Sequence, residues 1–216
     1  MKDLTVIIPA KDESANIAAV LDGLGHVEKV IVVSADFEFT KPIVDRYPNA
    51  YFHLWLTPGK GEAMRAGMNR ASTKYVMCMD ADGSHSPEEL NWAYEAFRNG
   101  EAVVKGSRTL GGSSDLTTVR HIGNLFLTTV FNLLYRQTLT DLCYGFIGAT
   151  REVLDKVALD AVGFEIEAEF MARTAKAGYK TYEFPSYESD RVHGQSNLFP
   201  IKDGLRILWT ILKNRS

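Results

Sequence analysis

Cysteine is scarce in this 216-residue chain. Cys78 and Cys143 are the only two, they stand far apart, and neither sits in a Cys-x-x-Cys pair. That excludes a disulfide-stapled scaffold and a thiolate metal cluster, and leaves a reduced, buried pair in a cytosolic protein as the expectation. Long apolar runs are missing as well. The longest, residues 125–135, is broken by Thr128, Thr129 and Asn132, well short of the roughly 20 residues a membrane-spanning helix needs. Positive charge is not in excess: 24 Lys and Arg stand against 27 Asp and Glu, a net charge of −3, which argues against a nucleic-acid binder. The opening MKDLTVIIPA runs straight into a strand, so no signal peptide is expected. We find no internal repeat, low-complexity tract or domain linker.

What is present is ordinary globular material, 45% hydrophobic and 24% charged, enough for one sizeable core. Residues 4–8 read as a β-branched strand, and Ile17, Val20, Leu21 and Leu24 then repeat at helical spacing. Residues 30–33, 51–56, 75–79 and 102–105 read as further strands. Between the third and fourth lies GKGEAMRAGMNRAS, whose small residues suit a helix packed closely on a sheet. Ser86, Pro87 and Glu89 form a helix-start pattern, with Ser86 as N-cap and Glu89 closing a capping box. Repeated strand–helix–strand units predict an α/β fold with a mostly parallel sheet covered on both faces. Ligands then bind beyond the carboxyl ends of the strands, where three polar clusters fall: residues 9–13, 34–36 and 80–85.

The second half is less regular. Residues 119–136 have helical apolar spacing, TDLCYGFIGAT turns into a strand, and residues 165–177 form a further helix. Residues 180–184 read as a strand and RVHGQSNLF as a polar loop. Ile201, Leu205, Leu208, Trp209 and Leu212 define a terminal amphipathic helix. Glu165, Glu167 and Glu169 fit a solvated helix face.

The most informative segment is YVMCMDADGSH, in which an apolar strand delivers Asp80 and Asp82 at its tip. Side chains two apart on a strand point the same way. Carboxylates so close repel unless a cation or donors lie between them. A hard divalent ion, Mg²⁺ or Mn²⁺, accepts such oxygens while leaving positions for substrate phosphates.

Taken together, VIIPAKDESANI, GKGEAMRAGMNRA, YVMCMDADGSHSPEEL, KGSR, TDLCYGF, GFEIEAEF and ESDRVHGQSN resemble, in order and over nearly the whole chain, the family 2 glycosyltransferases of GT-A fold, in particular the polyprenyl-phosphate mannose synthase type. The resemblance implies one GT-A domain over residues 1–216, with a nucleotide-sugar half at 1–108 and an acceptor half at 109–216. It implies an inverting, metal-dependent transfer from a GDP- or UDP-sugar donor. Pro9, Ala10, Lys11, Glu13, Asp36, Lys60, Gly61, Asp80, Ala81 and Asp82 would then bind the nucleotide, and Asp80 and Asp82 the metal. Arg191 and Ser196 would fold over the diphosphate. Where relatives carry a metal-binding Gln this chain has Ser84, so His85 or His193 stands as a substitute ligand.

For the acceptor, the resemblance gives Arg108 and Arg120 as the grip on a polyprenyl phosphate, since guanidinium donors match phosphate oxygens pairwise. A saccharide hydroxyl acceptor is the alternative, with Asp141 as the catalytic base. The Gly-Phe-Arg common in relatives is Gly145-Phe146-Ile147 here. The apolar 125–134 segment and the terminal helix, with Lys202, Arg206, Lys213 and Arg215 beside its aliphatic face, suit peripheral contact with the cytoplasmic membrane face or a homodimer seam. A sugar-phosphate nucleotidyltransferase would begin with a glycine-rich phosphate loop, which VIIPAKDESAN lacks. A silent nucleotide- or lipid-binding module is disfavoured because Asp80, Asp82, Asp141 and Arg191 are all retained.

Overall fold

The computed structural model describes residues 1–191, 193 and 199–215. In chain order these form β1 (Leu4–Pro9), α1 (Ile17–Asp22), β2 (Lys29–Ser34), α2 (Thr40–Val44), β3 (Ala50–Leu54), α3 (Lys60–Arg70), β4 (Tyr75–Cys78) and α4 (Leu90–Arg98). They continue as β5 (Val103–Ser107), α5 (Arg108–Gly111), α6 (Thr118–Tyr135), β6 (Ile147–Thr150), α7 (Arg151–Lys156), α8 (Ile166–Lys176), β7 (Thr181–Pro185) and α9 (Pro200–Arg215). One seven-stranded sheet has the order β3-β2-β1-β4-β6-β5-β7. Only β6 runs against its neighbours β4 and β5; every other pairing is parallel.

Alternation along the strands divides the core between the two faces. Ile7, Ile31, Val33, Val76 and Cys78 point to the face covered by α3, α6 and α8. Leu4, Val6, Ile8, Val30, Val32 and Met77 point to the face covered by α1 and α4. Both thiols are free, and burial raises their pKa values, that of Cys143 to about 12. The small residues of α3 serve the packing anticipated for them: a Cβ on Gly67 would come within 2.3 Å of the Ile7 side chain.

Three local expectations change. Ser86 has N-cap backbone angles but caps nothing with its side chain, and a 3-10 turn at Pro87–Glu89 precedes α4. Glu89 closes no box, because its carboxylate accepts instead from the Ser186 hydroxyl and the Tyr187 amide. The acidic run of α8 is no solvated face: Glu167 and Glu169 are buried. Glu169 accepts from Arg173 and from the amides of Asp160 and Ala161, tying the preceding loop down.

Candidate active site

The sheet reverses its order of growth between β1 and β4, so the loops leaving their carboxyl ends splay apart and open a crevice. A cleft of about 510 Å³ lies there. Pro9, Ala10, Lys11 and Glu13 after β1, Asp36 after β2, Lys60 at the start of α3 and Asp80, Ala81 and Asp82 after β4 all line it, together with Arg191. These residues were expected to bind a nucleotide, and the fold brings them together.

Each of the two carboxylates meets a cation of the chain. Asp80 Oδ1 lies 2.8 Å from Lys60 Nζ, which also donates to Glu167 Oε1 at 2.7 Å. Burial opposes the Asp80 charge, but the Lys60 ammonium beside it outweighs this and holds the carboxyl well below the usual range. Burial likewise opposes the Lys60 charge, and Asp80 and Glu167 reverse that, raising its pKa. Gly145 makes room for this trio, since a Cβ there would lie 2.8 Å from Lys60 Nζ and 3.0 Å from Glu167 Oε1. Asp82 Oδ2 lies 2.6 Å from Arg191 Nη1, while Oδ1 accepts from the Ser84 amide (3.0 Å) and hydroxyl (2.7 Å). Arg191 Nε is buried and has no partner among the described residues.

Glu13 accepts from the Asn16 amide group. Burial raises its pKa, helped by Asp82 and Asp80 and opposed by Asn16 and Arg191. Asp36 lines the cleft, yet both its oxygens are engaged by the Phe39 amide and the Thr40 hydroxyl at the start of α2.

Other expected residues lie elsewhere. Gly61 donates its amide to the Val162 carbonyl at 2.8 Å and is not among the described residues that line the cleft. Arg108, Arg120 and Asp141 are likewise absent from that lining. Asp141 is fully buried and accepts from Arg108 Nε at 2.7 Å, Arg108 Nη2 at 3.0 Å, the Arg108 amide and Asn124. Burial would raise its pKa, but Arg108 more than offsets this and the net shift is downward, which suits a fixed counter-ion better than a proton acceptor. Arg108 also donates to the Cys143 carbonyl and to Glu188. Arg120 donates to the Asp115 carboxylate and carbonyl.

The imidazole candidates also move away from a ligand role. His85 Nδ1 accepts from the Asp80 amide at 3.2 Å, and the ring stacks on Phe146 at 4.9 Å. Burial lowers its pKa despite the nearby Asp80 and Asp82, so the ring is neutral with its proton on Nε2. Ser84 serves to orient Asp82. His193 is exposed, and its carbonyl accepts from Asn16. Ser196 lies outside the described residues.

Among the described residues no group of three or more His, Cys, Asp or Glu side chains could hold a metal. The donor set still fits a hard divalent ion completed by a substrate's own oxygens: two carboxylates, one of them paired with the partly exposed Arg191.

Sequence reasoning missed two features. Lys202 and Arg206 of α9, read as the basic flank of a surface helix, line the cleft together with Phe199 and Asp203. Lys105 is fully buried with its amine donating to the Tyr144 carbonyl. Nothing local marks either, because both depend on how distant segments close over the sheet.

Comparison with known proteins follows the same lines. The chain is 29% identical to a polyprenol monophosphomannose synthase of Mycolicibacterium smegmatis, over 89% of this chain and 80% of that one. It is 25% identical to a dolichol-phosphate mannosyltransferase of Pyrococcus furiosus, over 97% of this chain but only 64% of that longer protein. In fold it is similar to glucosyl-3-phosphoglycerate synthase of Mycobacterium tuberculosis solved with Mn²⁺, UDP and glucosyl-3-phosphoglycerate, with a TM-score of 0.74 and 19% identity, covering 98% of this chain and 79% of that one. The family model "Glycosyl transferase family 2" matches residues 5–158. The chain belongs to glycosyl transferase family 2.

Proposed function

We propose that this chain moves a hexosyl group from a nucleoside-diphosphate sugar, with GDP or UDP departing, to the phosphate of a polyprenyl phosphate, inverting the anomeric carbon. The observation that carries this reading is the pair Asp80 and Asp82 at the tip of β4, facing a cleft that also holds Lys60 and Arg191. The names of the Mycolicibacterium and Pyrococcus relatives support the lipid acceptor. The Mn²⁺ and UDP in the mycobacterial neighbour support the donor side.

Pro9, Ala10, Lys11 and Glu13 form one wall for the nucleotide, with Asp36 and Lys60 opposite. Asp80 and Asp82 would hold Mg²⁺ or Mn²⁺, which when bound neutralises charge on the departing diphosphate. Arg191, with one guanidinium nitrogen uncommitted among the described residues, adds positive charge where negative charge develops. An acceptor phosphate oxygen attacks the anomeric carbon. The bond from that carbon to the diphosphate oxygen breaks, and its electron pair leaves with the nucleoside diphosphate. A phosphate monoester is already anionic at neutral pH, so no side chain need remove a proton. That agrees with an Asp141 whose oxygens are fully engaged.

Such an acceptor is embedded in a bilayer. No helix among the described residues is long and apolar enough to cross one. Contact would be peripheral, from the cytoplasmic side, through the exposed Ile122, Leu125, Phe126 and Leu133 of α6 and Leu205 and Trp209 of α9. The test is incubation with GDP-mannose or UDP-glucose, Mn²⁺ and undecaprenyl phosphate, followed by mass spectrometry of the lipid fraction. A glycosylated lipid phosphate is expected from wild type and not from Asp82→Ala. Release of free sugar alone, with the lipid unmodified, would contradict the acceptor assignment.

A further inference from the structure

The arginines first expected to grip the acceptor phosphate are occupied. Arg108 is 5% exposed, and its three guanidinium nitrogens serve Asp141, Glu188 and the Cys143 carbonyl. Its guanidinium carbon also lies 4.7 Å from the centre of the Tyr144 ring. Freeing it for a ligand would leave Asp141 buried without its counter-charge, a costly exchange. Arg120 is tied twice to Asp115. Neither belongs to the lining of the cleft among the described residues.

Two other cations do belong to it. Lys202 and Arg206 are four residues apart on α9, hence on one helix face, and both line the cleft. Lys202 is exposed and pairs with no carboxylate among the described residues. Arg206 is exposed, and its carboxylate neighbour Asp203 lies 3.9 Å away. Beside this basic row runs an exposed apolar stripe, Ile201, Leu205, Trp209 and Leu212, at 80%, 63%, 66% and 45% exposure. α9 packs on α6, whose Ile122, Leu125, Phe126 and Leu133 are exposed too. A helix that puts exposed cations into a donor cleft and an apolar strip alongside is complementary to a ligand with an anionic head and a long apolar tail.

We propose that Lys202 and Arg206, rather than Arg108 and Arg120, receive the phosphate of the lipid acceptor, with its first prenyl units lying along the Leu205–Trp209 side of α9. This rests on the transfer reading above and names the groups that bind its acceptor.

The experiment is calorimetric titration of the full chain with geranyl phosphate, a soluble short prenyl phosphate, and with inorganic phosphate. Wild type, Lys202→Ala, Arg206→Ala, Arg120→Ala and Trp209→Ala are compared, with circular dichroism checking the fold. Losing one charge-assisted phosphate contact should weaken geranyl phosphate binding about tenfold in the Lys202 and Arg206 variants. Arg120→Ala should stay near wild type. Trp209→Ala should weaken geranyl phosphate and leave inorganic phosphate unchanged. In turnover with undecaprenyl phosphate, Lys202→Ala and Arg206→Ala should raise the acceptor KM without raising the donor KM. A loss confined to Arg120→Ala, or a rise in donor KM with acceptor KM unchanged, overturns the assignment. Should wild type bind no prenyl phosphate while still binding Mn²⁺ and a nucleoside diphosphate, the lipid-acceptor reading fails, and this inference with it.

Discussion

The two halves of the sheet handle charge in opposite ways. At the carboxyl ends of β1, β2 and β4 the ionic groups face a cleft, and Arg191, paired with Asp82, remains partly exposed. Around β5 the charges are sealed: Arg108, Asp141, Glu188 and Lys105 are all buried and satisfied by one another or by backbone. Asp82 is itself buried, but Arg191 is 24% exposed at the cleft wall, so the charged oxygens of a ligand can take the place of its partner. A buried, fully bonded ion pair resists opening, because each partner would be left desolvated and alone. Residue types that look equally catalytic in the sequence therefore divide into an exchangeable set and a structural set.

Breaking the sealed set should give the largest effect. Asp141→Ala leaves Arg108 buried without its main partner and should cost about 3–5 kcal/mol in urea unfolding. Nucleoside-diphosphate affinity should stay within about twofold wherever the variant is folded, since the cleft does not include Asp141. A loss of affinity without a loss of stability would return Asp141 to the site.

Gly145 joins the two regions, and Gly145→Ala should sharpen the contrast. Its Cβ would crowd Lys60 Nζ at 2.8 Å, Glu167 Oε1 at 3.0 Å and Asp80 Oδ1 at 3.1 Å. Overpacking of this kind costs about 1–3 kcal/mol. Here stability and nucleotide affinity should fall together, because Lys60 and Asp80 belong to the cleft.

Lys105 offers a smaller, pH-dependent effect. Burial lowers its pKa, with Asp141, Glu167 and Glu183 opposing. The unfolded chain therefore holds this proton to higher pH than the folded one. In that window stability rises with pH, levelling off near the unfolded pKa of about 10.4. Unfolding free energies of wild type and Lys105→Met should accordingly diverge in favour of wild type as pH climbs from neutrality toward 10. A constant difference would mean that the amine is charged throughout.

The smallest effect on stability should come from the exposed faces. Trp209→Ser should change unfolding free energy by no more than about 0.5 kcal/mol. Sedimentation with vesicles containing anionic lipid should nonetheless drop. Unchanged sedimentation, with a monomer–dimer shift instead, would make the α6–α9 face a homodimer seam.

Much of this division was legible in the sequence on one side only. Period-2 and period-3.6 patterning located β1 to β5, α1, α3, α6, α8 and α9, and the three polar clusters at strand ends pointed to the cleft. Asp80, Asp82 and Arg191 met there as expected, because the strand tip and the turn through Gly83 fix the first two locally. α2, α5 and α7 were not foreseen, being too short to show a full hydrophobic period. The reversed direction of β6 was hidden because direction depends on pairing rather than pattern. Glu167 and Glu169 looked solvated because burial of a carboxylate depends on a partner elsewhere, Lys60 for one and Arg173 with two amides for the other. Lys202 and Arg206 looked like a membrane flank for the same reason.

The most direct test of the central claim is calorimetric titration of wild type and Asp82→Asn with UDP and with GDP, each with and without Mn²⁺. The account predicts that wild type binds at least one of them, more tightly with Mn²⁺. Asp82→Asn should lose the Mn²⁺-dependent gain while unfolding at nearly the same temperature. Equal Mn²⁺-dependent binding by the two proteins would contradict it.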